Sequence, residues 1–285
     1  MPNILIFGAG YLGQKFADAI PGSVLSTVDI SDPEGVREAL ETFKPDAVIN
    51  TAGKTGKPNV DWCEDNKVPT FRSNVVGALV LAEACAEARI HLTHLGSGCI
   101  FYGPSPDPKG WRESDFANPS AFYSRTKYAA DLVLSELPDV AVARLRMPID
   151  GVPGNRNLIT KLANYPKIID VENSVTVIDD LVPAILKLSE KRAQGVFHVV
   201  NEGTMKHRDL IALYNEIVDP THTNEWIPNE DLVKLGLATK GRSNCILQNT
   251  RLKELGIEMR PISVALRDCM EKYAAALKAG QPATV

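Results

Sequence analysis

The chain has 285 residues, 44% hydrophobic and 23% charged, which suits a globular protein long enough for one large domain or a domain with an appended lobe. A formal charge of −4, with Lys and Arg scattered, argues against nucleic acid or an anionic membrane as the main partner. The opening Met1-Pro2-Asn3, followed directly by Ile4–Phe7, lacks the charged start, long apolar stretch and cleavage site of a signal peptide, and no run reaches membrane-spanning length.

Apolar strand-like runs alternate with longer helical segments, the pattern of a parallel α/β sheet. Ile4–Phe7 is the first predicted strand and Tyr11–Ile20 the first helix. Ser23–Asp29 reads as a strand, and Pro33–Phe43 as a helix begun by Ser31-Asp32-Pro33. Ala47–Thr51 is a buried strand, Val68–Ala88 one long helix, and His91–Leu95 and Val140–Leu145 are further strands. Their continuous apolar character predicts a doubly wound, Rossmann-type sheet covered on both faces. After about Pro148 the character changes to a Pro/Gly/Asn loop, a short helix Leu158–Asn164 and a β-type run Val196–Val200. The predicted organisation is a dinucleotide-binding domain over 1–148, rejoined by 174–201, with a smaller substrate lobe from 149–173 and 202–285. The tail Ala279–Val285 reads as loosely ordered.

Five cysteines, Cys63, Cys85, Cys99, Cys245 and Cys269, form no CxxC pair, which fits reduced thiols and a cytoplasmic location. The histidines do not gather with cysteines or carboxylates at ligand spacing, and His91 and His94 flank or sit in a strand, so no metal is expected.

Gly8-Ala9-Gly10-Tyr11-Leu12-Gly13 is a GxGxxG between the first strand and the first helix. A tight turn and close approach of a pyrophosphate require glycine there, and the helix N-terminus offers N–H groups to phosphate. Asp29 is a candidate for the adenosine ribose or the adenine, or it simply leads into the next helix; no Arg follows closely enough to clamp a 2′-phosphate. Either NAD(H) or NADP(H) therefore remains open as the cofactor.

Tyr123-Ser124-Arg125-Thr126-Lys127 is a YxxxK, and on a helix this spacing puts both side chains on one face. A Lys ammonium beside the phenol would favour the phenolate, easing proton exchange with a carbonyl or alcohol. Ser97, just after a late strand, is placed to polarise that carbonyl.

These features, with the strand end Asn50-Thr51-Ala52-Gly53, resemble the extended short-chain dehydrogenase/reductase family. A narrower resemblance covers most of the chain. Residues Thr55–Glu64, Gly98–Phe101, Phe122–Lys127, Arg144–Ile149, Asn157–Lys161 and Arg242–Asn244 are similar to the bifunctional 3,5-epimerase/4-reductases, and more distantly to dTDP-4-dehydrorhamnose reductases. The bifunctional enzymes make nucleotide-L-rhamnose from a nucleotide-4-keto-6-deoxyglucose. The resemblance implies Ser97, Tyr123 and Lys127 as the reductase set, and Cys99 and Lys161 as the groups exchanging protons at C3 and C5. It also implies dinucleotide contacts at Gly8, Gly10, Tyr11, Leu12, Gly13, Ala52, Gly53 and Pro148, and a nucleotide-sugar contact at Asn157. This family often carries Thr where Ser97 stands, which keeps the hydroxyl, and often GxxGxxG in place of GxGxxG.

Inverting a carbon beside a ketone needs a base on one ring face and an acid on the other, and a thiol with an ordinary pKa of about 8.5 suits that exchange. Without the resemblance, Cys99 reads first as a small core residue and Lys161 as a solvated helix position. Asn74 either orders the catalytic lysine or is a surface polar residue. Arg242 with Asn244 binds a diphosphate or lies in a surface loop, and Trp62 is core or a wall of the sugar pocket. A pure 4-ketoreductase and a non-catalytic cofactor sensor are the competing readings, the sensor disfavoured by the intact Tyr123 and Lys127. A homodimer is compatible with the sequence.

Overall fold

A computed structural model describes residues 2–57 and 59–280. Pro58, inside one segment that carries the resemblance, and residues 281–285 of the predicted loose tail lie outside the described residues. Six parallel strands form the central sheet in the order Gly195–His198, Val140–Leu145, His91–Ser97, Ala47–Asn50, Ile4–Phe7, Val24–Ser26. The first strand explains the continuous apolar runs. Ile4 and Ile6 pack in one core cluster with Phe16, Ile185 and Leu188, while Leu5 and Phe7 pack in another with Val36, Leu40 and Leu81. Successive strand residues point to opposite faces, so a sheet covered on both sides needs every position apolar. A third cluster, including Ile149, Leu162, Leu210, Leu266 and Tyr273, lies among residues after Met147.

Several boundaries differ from the sequence-based expectation. The second strand stops at Ser26, which leaves Asp29 three residues beyond it in a loop. Asp32 precedes the helix Pro33–Phe43 without a side-chain cap, so Pro33 at the first turn is the local start signal. The expected single helix Val68–Ala88 is three consecutive pieces, Lys67–Phe71, a π-helical turn Arg72–Val76, and Gly77–Ala88. Short strand pairs, such as Glu172–Asn173 with Met205–Lys206, and the long terminal helix Ile262–Lys278 were not anticipated. Pairs of two or three residues are too short to show a period.

The order of strands reverses between Ile4–Phe7 and Ala47–Asn50, and the crevice at such a switch point is where open α/β sheets bind ligands. Gly8 (φ 98°) follows the first strand so closely against the third that a Cβ there would lie 2.4 Å from the Ala52 nitrogen. A Cβ on Gly13 would lie 2.0 Å from the Gly8 carbonyl oxygen. Gly10 is different: it is the N-cap of Tyr11–Ala19, has no capping side chain, and nothing stands within 4 Å of its Cβ position. That space is open toward the helix N-terminus, which fits a pyrophosphate. Gly13→Val should therefore destabilise the protein in thermal denaturation. Gly10→Val should keep the wild-type melting temperature but lose NAD(P)H binding in a fluorescence titration, and retained binding would show that the crevice lies elsewhere.

Candidate active site

Tyr123 and Lys127 lie on the helix Phe122–Leu134, which packs on the strand His91–Ser97 and the short helix Gly98–Ile100 that follows it. The helix lacks a local side-chain cap; instead the Glu64 carboxylate accepts the Phe122 N–H at 2.8 Å, bringing negative charge to a helix N-terminus. The Ser97 hydroxyl accepts the Cys99 N–H at 3.2 Å and stands near enough to the Tyr123 phenol to lower its pKa. One cleft is lined by Tyr123, Cys99, Tyr102, Arg146 and Arg242. The phenol of Tyr123 and the thiol of Cys99 thus line the same space.

The expected effect of Lys127 on the phenol is corrected by the geometry. Burial pushes the Tyr123 phenol well above its ordinary value, and nearby Cys99 adds to this, while only the Ser97 hydrogen bond opposes it. Lys127 is turned the other way. Its Nζ lies 3.0 Å from His94 Nε2 and donates to the Leu95 carbonyl at 2.8 Å. Burial brings its own pKa down to about 8, with Asp131 opposing that shift. A phenol that holds its proton at neutral pH suits an acid better than a resident base.

Cys99 is half-buried, whereas Cys63, Cys85, Cys245 and Cys269 are buried. Arg146 Nη1 donates to Cys99 Sγ at 2.7 Å and Nη2 donates to Asn173 Oδ1 at 2.6 Å, with a further bond to the Ser243 carbonyl. Lys161 lies on Leu158–Asn164 and is half-buried; desolvation lowers its pKa, and the charges of Arg156 and Arg242 lower it further. Arg242 is also held bidentately by Asp61, at 2.9 and 2.8 Å, so its charge already has a partner. Asn244 bonds Asn229 and Asn173.

Other sequence candidates have mainly positioning contacts. Asn157 is fully buried. Its Oδ1 accepts the Ile159 N–H to cap its helix, and its Nδ2 bonds the carbonyls of Asp150 and Val152. Loop and helix thus take up the amide. Asn74, in the π-helical turn, is 1% exposed and is no surface residue: its Oδ1 accepts the Lys54 N–H and its Nδ2 donates to Thr126 Oγ1. It therefore joins the loop after Gly53 to the YxxxK helix without touching Lys127. Tyr11 donates its hydroxyl to Asp150, which also pairs with Lys15. Leu12 packs partly buried against the sheet, and Pro148 with Ile149 pairs with Thr176–Val177. Trp62 begins the short helix Trp62–Asp65 beside Gly56.

Asp29 accepts both the N–H and the hydroxyl of Ser31, which hold its carboxyl below the usual range. Ser31 Oγ in turn accepts from Arg72 Nε at 3.1 Å. An arginine therefore does stand beside this loop, brought by the helix from far along the chain. Sequence reading also missed Arg146, Arg156 and Glu64, whose roles depend on long-range contacts and leave no local spacing signal. Among the described residues no three His, Cys, Asp or Glu side chains gather as a metal would require. No helix among them is long and apolar enough to cross a membrane.

The model of the RmlD substrate binding domain matches residues 2–275. A bifunctional dTDP-4-dehydrorhamnose 3,5-epimerase/dTDP-4-dehydrorhamnose reductase of Arabidopsis thaliana is 37% identical over 275 residues, covering 93% of this chain and 91% of that protein. A trifunctional UDP-glucose 4,6-dehydratase/UDP-4-keto-6-deoxy-D-glucose 3,5-epimerase/UDP-4-keto-L-rhamnose-reductase of the same plant is 33% identical over 251 residues; the match takes in 86% of this chain but 37% of that longer protein. The crystal structure of a UDP-rhamnose synthase from Acanthamoeba polyphaga mimivirus superposes with a TM-score of 0.88 at 30% identity, over 95% of this chain and 99% of the other. This chain belongs to the RmlD substrate binding domain family, among the NAD(P)-dependent short-chain dehydrogenases/reductases.

Proposed function

We propose that this protein is a bifunctional 3,5-epimerase/4-reductase that converts a UDP- or dTDP-4-keto-6-deoxy-D-glucose to the nucleotide-L-rhamnose with NAD(P)H. The observation that carries this reading is the shared cleft, in which Cys99 faces the same space as Tyr123, with the Ser97 hydroxyl accepting the Cys99 N–H. A ketone at C4 acidifies the C–H bonds at C3 and C5, so one polarising site serves enolisation and reduction alike. Similarity to a plant bifunctional enzyme over almost the whole chain supports the same pair of activities.

In this reading Ser97 polarises the C4 carbonyl. Cys99 takes the proton from the carbon beside it, and Lys161 returns one to the opposite ring face. The Arg146 guanidinium, 2.7 Å from Sγ, holds the sulfur in place. Gly8–Gly13 and Ala52–Gly53 would hold the reduced dinucleotide, whose chemistry there would be hydride donation to C4. Tyr123 then gives its proton to the C4 oxygen, a role suited to a phenol that burial keeps protonated. The hydride adds to carbon as the proton adds to oxygen, so the ketone becomes the alcohol.

Two variants separate the half-reactions. Tyr123→Phe should bind cofactor normally in titration but lose at least ~10²-fold in kcat for reduction; near wild-type turnover would remove Tyr123 as the acid. Cys99→Ala should spare Ser97, Tyr123 and Lys127 yet stop solvent deuterium from entering C3 and C5 of the 4-keto substrate, followed by proton NMR without reduced cofactor. Wild-type exchange at both carbons would make Cys99 a packing residue and assign the proton abstraction to another group.

A further inference from the structure

His94 is buried in the middle of the sheet, and the reaction scheme above does not use it. Asn50, at the end of the neighbouring strand, lies against one ring nitrogen, with Nδ2 at 2.9 Å from His94 Nδ1. Lys127 Nζ lies against the other, 3.0 Å from Nε2. All three side chains are almost wholly enclosed, so no solvent mediates between them.

Proton bookkeeping decides how the chain of groups is bonded. Asn50 Oδ1 accepts the Ala52 N–H at 2.9 Å, which fixes the amide and turns its NH2 toward His94. An amide NH2 only donates, so His94 Nδ1 is the bare, accepting nitrogen. A neutral imidazole then carries its proton on Nε2, aimed at Lys127. In its uncharged form the lysine nitrogen meets that N–H with a lone pair and gives one of its own hydrogens to the Leu95 carbonyl. The other tautomer would set an Nδ1–H against the Asn50 NH2, and relieving that clash would cost the bond to Ala52.

We propose that His94, oriented by Asn50, is a positioning residue for Lys127: its Nε2–H holds the lysine nitrogen beneath the YxxxK helix and favours the unprotonated amine. The inference rests on the reductase reading for its consequence in turnover but not for its geometry. Because Asn50 is tied to Ala52, the loop beside the Gly8 turn and the lysine of the YxxxK belong to one hydrogen-bonded unit. Burial holds His94 well below the ordinary imidazole range, with Lys127 lowering it further, and burial brings Lys127 to about 8. The other charged or titratable groups around the pair are Asp131, which raises the lysine and is itself paired with Arg144 at 2.9 Å, Tyr123 on the same helix, and Cys99 and Cys63 beside Tyr123. His198, on the edge strand, faces Arg144.

The sign follows. A donor aimed at the amine stabilises the uncharged form, so removing it should raise the pH at which Lys127 loses its proton. His94→Gln keeps a polar group that is free to accept from an ammonium, and Asn50→Ala releases the imidazole to adopt the accepting tautomer without touching the lysine. The test is a pH titration of the full-length protein by NMR with lysine labelled at Cε and Nζ, the Lys127 signal being identified by its loss in Lys127→Met. Lys127 should titrate near 8 in the wild type, and both variants should move it up by roughly half to one pH unit. The alkaline limb of kcat for the reductase reaction should move the same way. An unmoved titration in either variant would overturn the assignment, since a purely structural Asn50 has no route to Lys127. If the titration moves while the wild type oxidises no reduced dinucleotide with either nucleotide-4-keto sugar, the reductase reading fails and this one stands.

Discussion

Two backbone segments meet without a side chain between them, and the site is organised around that contact. Gly8 lies so close to Ala52 that a Cβ has no room, and Thr51 Oγ1 donates to the carbonyls of Phe7 and Gly8 across the same junction. The sheet brings these loops together because the first and third strands are neighbours in the sheet, and their carboxyl ends face the same crevice. From Ala52 the hydrogen bonds run inward through Asn50 to His94 and Lys127. From Lys54 they run through Asn74 to Thr126 on the YxxxK helix. The crevice at the switch point of the sheet and the YxxxK helix are thus joined by side-chain hydrogen bonds.

The same helix face is costly to bury. Lys127 is 4% exposed and Asp131, one turn on, 1%. The Arg144–Asp131 pair, the Leu95 carbonyl and His94 supply the partners that buried charged or polar groups require. Desolvation then does chemical work. It holds the Tyr123 phenol protonated and brings Lys127 toward neutrality, so the two YxxxK side chains are set apart in acidity by their surroundings more than by each other.

Much of this was legible in the chain because it is local. Ile4–Phe7, the GxGxxG turn, Pro33–Phe43 and the four-residue spacing of Tyr123 and Lys127 depend on neighbours within a turn or two. What escaped was long-range or conformationally unusual. YxxxK spacing puts two side chains on one face but does not say which way Lys127 turns, and His94 stands 33 residues earlier. The Arg242–Asp61 pair spans 181 residues, so the sequence does not show that this arginine has a carboxylate partner. The π-helical turn that buries Asn74 breaks no composition rule, and the sequence does not show that Asn157 caps a helix, because a helix cap and a binding residue use the same amide chemistry.

The account stands most directly on the product of the wild-type protein. UDP- and dTDP-4-keto-6-deoxy-D-glucose would each be incubated with NADH and with NADPH, and the sugar followed by proton NMR as the cofactor is oxidised. A bifunctional epimerase/reductase should form a nucleotide-L-rhamnose, inverted at C3 and C5 and reduced at C4, from at least one combination. A 6-deoxy-D-sugar as the only product, or no oxidation of either cofactor with either substrate, would contradict it.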